Sequence, residues 1–317
     1  MNRPIKRLIF ILLVIFLIVL TVRWVIPTAR ERSRCVSLGK QWMALLTQHP
    51  DFSAQEPGYP VEVTFYYAQP TDENLTRLRD QYDLETVAGQ GSETDQIINL
   101  MHWVYSLAGH ANEPAIPTDR NAFAFIHMAQ VEQKQINCYM KTVILNEVYL
   151  SLGFDSRQTH LLPHSHEERE SHFITSVYSR TLDKWILMDP DFGVYVADEK
   201  GNILSVEEIR RRLISGEPLK VQHPGRNRLE TIWGDIRNWT EGADYLWFLS
   251  DFIFKMRCPK YSRFAQGNEP IREYYELIPD GYRPELLEES RLAARGKKIS
   301  TINDEKAFWA KPAENSY

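Results

Sequence analysis

Apolar positions along the chain follow two spacings, one helical and one alternating, and together they predict a mixture of helices and strands. Ser33–His49 ("SRCVSLGKQWMALLTQH") has helix-like spacing, and the turn-rich "HPDFSAQEPGYP" after it reads as a connector. Val61–Ala68 ("VEVTFYYA") alternates and predicts a strand. Thr71–Leu84 predicts an exposed amphipathic helix. Ser92–His110 predicts a helix opened by a capping pair, Ser92 and Asp95, with Ile97, Ile98, Met101, Val104, Tyr105 and Leu107 on a buried face. A loop with two prolines leads to another helix over Asn121–Lys134. Tyr139–Leu152 places Val143, Ile144, Val148 and Leu152 at helical spacing, and Gly153 ends it. A strand follows in "SRQTHLLP", then the polar loop "HSHEERES". His172–Ser179 ("HFITSVYS") alternates, "RTLDK" turns, and "WILMDP" returns, which predicts a hairpin. Ser205 caps a predicted helix that runs to Gly216. The aromatic segment 225–260 predicts helix, broken by too many charges to cross a membrane. From 261 onward the pattern is polar and loose, as in a tail. The fold class predicted is α+β.

The N-terminus differs from everything after it. "MNRPIKR" is basic, and Leu8 to Ile26 is apolar apart from Arg23, close to the ~20 residues needed to span a bilayer. "PTAR", with Pro27, offers no small-residue cleavage site, and "RSR" before Cys35 is not a lipoprotein signal. An uncleaved anchor is therefore expected over 1–30. Basic residues ahead of the span keep the N-terminus cytoplasmic, with the rest of the chain periplasmic or extracellular. The net charge is −5, and the five cations of the first 30 residues leave −10 on the remainder. Such a chain has no basic footprint for nucleic acid, so no nucleic-acid partner is expected.

Candidate chemistry starts from three cysteines, Cys35, Cys138 and Cys258, an odd number in an oxidising compartment. Cys35 and Cys258 could pair, or all three could be free thiols. Cys138 stands at the start of a predicted buried helix, His172 at the start of a strand and Asp189 at the end of the next. Helix N-termini and neighbouring imidazolium groups both favour a thiolate. A carboxylate then fixes the orientation of the imidazole. Across an antiparallel hairpin the ends carrying His172 and Asp189 face one another. A rival use of the same region is a metal: His160, His164, His166 and His172 fall within 13 positions. Cofactor and metal are nonetheless both expected to be absent.

"NCYMKTVILNEVYLSLGFDSRQTHL" and "SHFITSVYSRTLDKWILMDPDFG" resemble the cysteine helix and the His–Asp hairpin of the transglutaminase-like superfamily, over roughly residues 95–200. The resemblance implies a papain-like core: a helix bearing the cysteine packed on an antiparallel sheet bearing histidine and aspartate. It implies Cys138 as nucleophile, His172 as general base and Asp189 as orienting acid, with Trp185 as packing. The backbone N–H of Cys138 is a candidate oxyanion donor, and Gln133 and Gln135 are the nearby side-chain amides. Four regions are expected: an anchor at 1–30, an extension at 31–94, the transglutaminase-like domain at 95–260 and a polar tail at 261–317. The expected activity is acyl transfer or hydrolysis on amide bonds of a protein, peptide or small amide substrate. A second class is a binding or scaffold domain that keeps the fold without catalysis, with the aromatic segment 225–260 as a partner surface.

Overall fold

A computed structural model describes residues 43–52, 62–164, 171–223, 245–265, 270–282 and 293–312. The expected anchor, Cys35, His166 and the stretch 224–244 lie outside these residues. Among the described residues no helix is long and apolar enough to cross a membrane.

Helices come first in the described chain: α1 (Glu73–Gln81), α2 (Leu84–Ala88), α3 (Glu93–Leu107), α4 (Ala122–Gln130) and α5 (Cys138–Ser151). The strands β1 (Ser156–Leu162), β2 (His172–Ser179), β3 (Lys184–Met188) and β4 (Tyr195–Ala197) follow. After α6 (Val206–Ser215) come β5 (Lys220–Gln222), β6 (Lys255–Pro259), β7 (Glu273–Leu277), β8 (Lys298–Ile302) and α7 (Glu305–Phe308). The main sheet has the order β3-β2-β1-β6-β7-β8, antiparallel except for the parallel pair β7–β8. This is a mixed α+β fold.

Local signals explain the helix starts. The Ser92 hydroxyl accepts the Asp95 N–H while the Asp95 carboxylate accepts the Ser92 N–H, and Ser205 and Glu208 repeat that reciprocal cap on α6. Asn137 caps α5 through its side-chain oxygen, which accepts from the Met140 N–H.

The sheet separates two cores. On one face Leu161, Ile174, Trp185, Leu187, Met256, Tyr275 and Leu277 pack with residues 245–254, α6 and α7. On the other, Val177, Ile186 and Met188 meet α5, around which α3 and α4 pack. Every residue of α5 from Met140 to Ser151 is buried, as befits a helix surrounded by protein. Two ionisable groups are buried with it. Lys141 is paired, as described below. Glu147 accepts the Ala122 N–H at the start of α4 and has Arg263 3.9 Å away.

Three expectations are corrected. Val61–Ala68 is not a strand. Its described part runs extended and touches the sheet margin through one bridge, with the Tyr66 N–H donating to the Lys260 carbonyl and the Ser262 N–H to that of Tyr66. Segment 225–260 is not all helix: residues 245–252 are helical, but Lys255–Pro259 is a central strand. The described residues from 261 on are not a loose tail, because they supply β7, β8 and α7. The tie is Arg157 of β1, which donates to the Tyr67 hydroxyl at 2.6 Å and to the Phe308 carbonyl at 2.6 Å. Its guanidinium also lies over the rings of Phe65 and Trp185, at 3.7 and 4.0 Å. One buried cation thus joins the expected extension and the expected tail to the sheet.

Burial pushes the Glu147 carboxyl up to about 8, against the pull of the Ala122 N–H and of Arg263. An acid whose folded value is raised keeps its proton in the native chain while the unfolded chain releases it. Stability therefore falls as pH rises between those two values. Glu147→Gln should remove that decline, leaving a variant more stable than the wild type at pH 8 by about 2–4 kcal/mol and nearly equal at pH 4.5. Urea unfolding midpoints at the two pH values test this, and parallel wild-type and variant curves would contradict it.

Candidate active site

The segment that follows β3 does most of the positioning. Asp189 closes a tight hairpin with Val194, each N–H donating to the other's carbonyl. The Asp189 side chain holds the loop between them: Oδ1 accepts the N–H groups of Asp191 and Phe192, at 2.9 and 3.2 Å. Oδ2 accepts from His172 Nε2 at 2.7 Å and from the Tyr245 hydroxyl at 3.0 Å. One carboxylate, fully buried, therefore serves both the turn and the histidine. The β2–β3 register pairs Thr175 with Met188, so Asp189 reaches His172 along the diagonal of the hairpin.

His172 is buried, and the rings of Phe192 and Phe248 stand edge-on to it at 5.6 and 5.1 Å. With Nε2 given to Asp189, the imidazole also interacts with the Cys138 side chain at the start of α5. A sulfur, nitrogen and oxygen from Cys138, His172 and Asp191 lie within 4.8 Å of one another. Cys138 is half-buried and free, the first residue of its helix. Burial disfavours the imidazolium of His172. The charge and hydrogen bond of Asp189, with a smaller contribution from Cys138, outweigh it and raise the histidine above its ordinary value. Asp189 is likewise penalised by burial, yet His172 and the two loop N–H groups hold it below the ordinary carboxylate value.

The structure brings Cys138, His172 and Asp189 into one cluster, as the hairpin argument expected. Sequence reasoning missed several neighbours. Asp191 is one: Lys141 Nζ stands 3.3 Å from its Oδ1, and His110 Nδ1 2.8 Å from its Oδ2. Lys141 is buried one helical turn after Cys138, with the Tyr105 ring 5.5 Å away. A lysine inside a helix otherwise buried all round was the available signal. The loop also needs Gly193, whose φ is +66° and whose Cβ, were there one, would lie 2.7 Å from the Tyr105 ring. Tyr245 came from the aromatic segment expected to be helical and, in the scaffold reading, a partner surface, and nothing in its spacing marked it.

Other expected groups lie elsewhere. His160 stacks on Phe173 and hydrogen-bonds Ser171, while His164 packs against Phe254 and Tyr282. Those two histidines do not gather with His172 as metal ligands. Among the described residues the one cluster with ligand spacing is Cys138, His172 and Asp191. Asp191 Oδ1 already faces the Lys141 ammonium and Oδ2 the His110 ring, so an ion there would have to displace Lys141. Gln133 hydrogen-bonds the Gln130 carbonyl and Gln135 packs on Gly109. Cys258 is a buried free thiol beside Thr159, pushed up to about 11 by burial. Trp185 is core, as expected.

No known protein family and no curated protein matches the chain. A solved structure described as "a Putative Cysteine Protease from Cytophaga hutchinsonii" superposes with a TM-score of 0.30 at 10% identity. The match covers 56% of this chain and 58% of that one. A likeness of that size does not bear on the site, whose chemistry rests on the geometry above.

Two expectations follow. His172 is raised above its unfolded value of 6.5, so its contribution to stability is complete below that pH and is lost as pH rises through the folded value. Asp189 is lowered below 3.8, so its contribution is present above that pH and is lost on acidification. Asp189→Asn should remove the part of the stability loss between about pH 6.5 and 9 that His172 carries, seen as a urea midpoint that falls less steeply than that of the wild type, with the Glu147 contribution remaining. An unchanged slope would separate the histidine from Asp189. Lys141→Met should destabilise by about 3–5 kcal/mol because it strands a buried carboxylate. The double variant Lys141→Met/Asp191→Leu should recover most of that loss, measured by the same unfolding curves.

Proposed function

We propose that the chain is a cysteine-dependent enzyme that transfers or hydrolyses acyl groups of amides, tethered to a membrane by residues 1–30. The observation that carries this reading is the convergence of a thiol at a helix N-terminus with an imidazole already bound to a buried carboxylate. Cys138 is the nucleophile, His172 the proton carrier and Asp189 the orienting acid. The apolar, uncharged run in the N-terminal sequence supports the tether.

In the first half-reaction the Cys138 thiolate forms a bond to the amide carbon. The carbonyl electron pair moves to oxygen, where the N–H groups of the first turn of α5 point. Those of Met140 and Lys141 are already taken by Asn137, which leaves the first turn's leading amides for this role. The pair then returns, the C–N bond breaks, and His172 gives its proton to the departing amine. In the second half-reaction His172 takes a proton from water or from an incoming amine. That nucleophile attacks the thioester carbon and the Cys138 sulfur leaves as thiolate. Tyr245 and the two loop N–H groups keep Asp189 ionised through the cycle, and the flanking phenylalanine rings exclude water from the ion pair.

Iodoacetamide labelling of the full-length protein tests the reading. Cys138 should react at pH 6 at least about tenfold faster than a free thiol, and His172→Ala should remove that advantage. Amide substrates should turn over with wild type and not with Cys138→Ala. Labelling that follows an ordinary thiol titration, unaffected by His172→Ala, would support the scaffold reading.

A further inference from the structure

A cavity of about 600 Å³ opens between α5, β1 and the segments around Arg263, Arg272 and Arg295. It lies beside the candidate active site without including Cys138 or His172. Its wall begins at the residues that follow them, Tyr139 and Phe173, whose rings meet edge to face at 5.3 Å. Besides Arg157, whose donors are engaged by Tyr67 and Phe308, five basic side chains line it: Arg120, Arg263, Arg272, Arg295 and Lys297. Among the described lining residues two acidic side chains, Asp119 and Glu147, oppose them. Like charges gathered round one concave space focus a positive potential within it.

The floor of the cavity points to a ligand independently of this charge. Glu147 Oε1 and Arg263 Nε are both buried with no hydrogen-bond partner among the described residues, and at 3.9 Å they are too far apart to satisfy one another. Glu147 itself is fully buried on α5. Burial keeps its proton on near neutrality, so the group offers a donor rather than a second negative charge. One acceptor oxygen seated there would receive hydrogen bonds from both. At the rim Arg272 lies against Gly296, where a Cβ would stand 2.8 Å from a guanidinium nitrogen. Any side chain at 296 would push that guanidinium aside.

We propose that this cavity binds a small organic anion bearing phosphate or carboxylate groups, with one acid oxygen between Glu147 and Arg263 and the remainder met by Arg120 and Arg272. Aromatic rings of Tyr66, Tyr139, Phe173 and Tyr274 give the carbon skeleton its contact. The volume suits a molecule of metabolite or drug size. Binding needs no chemistry at Cys138, so it stands or falls separately from the enzymatic reading.

Isothermal titration of full-length Cys138→Ala protein with pyrophosphate and, separately, citrate tests the proposal. Saturable one-to-one binding of either is expected, weakening with added salt, and the better of the two names the acid group. Arg272→Gln and Arg263→Gln should each weaken it about tenfold or more, while Lys134→Gln, on the exposed end of another loop, should not. Arg272 is exposed at the rim, so its variant should melt with the parent and isolate binding from folding. Absence of saturable binding to both anions up to about 10 mM would overturn the proposal. So would equal affinities in the parent and both arginine variants.

Discussion

The carboxylate of Asp189 is the constraint on which the site depends. A buried anion is stable only where donors surround it, and this one receives four: two loop N–H groups, the Tyr245 hydroxyl and the His172 ring. Those donors come from three parts of the chain. The hydrogen bonds that hold the loop therefore also set the position of Phe192 over the imidazole and of Asp191 beside the thiol. A turn that is ordinary as a strand end becomes the piece that assembles the cluster.

A second ion pair sits beside the first. Lys141 and Asp191 are both buried and face each other, and the Asp191 carboxylate lies beside the thiol together with the imidazole. Asp191 is also faced by His110, which sits on the half-exposed side of the loop. The charge around the sulfur is thus set by a group of four ionisable residues and not by the histidine alone. Glu147, two turns further along the same helix, belongs to a different environment, the basic cavity on the far side of Tyr139.

Away from the site, the molecule is closed by Arg157. A guanidinium buried between aromatic faces must place its donors, and it does so on Tyr67 and on the Phe308 carbonyl. Segments near both ends of the described chain consequently pack against the central sheet, and the sheet grows to six strands.

What was legible in the sequence was local. The capping pair at Ser92, the serine cap at Ser205, the α5 helix with its cysteine at the start, and the hairpin carrying His172 and Asp189 all follow from short-range spacing and turn chemistry, which act within a few residues. Those rules also placed the three candidate catalytic residues on the right elements. The tertiary structure decided what depends on partners far along the chain. β7 reads as polar because two glutamates bracket its adjacent tyrosines with no apolar alternation, and only pairing with β6 and β8 makes it a strand. Val61–Ala68 has strand composition, but its described part forms a single bridge, Tyr66 with Tyr261. Tyr245, Lys141 and Asp191 gained their roles by burial and proximity. Both arise when distant segments exclude water together, and no spacing along the chain encodes them.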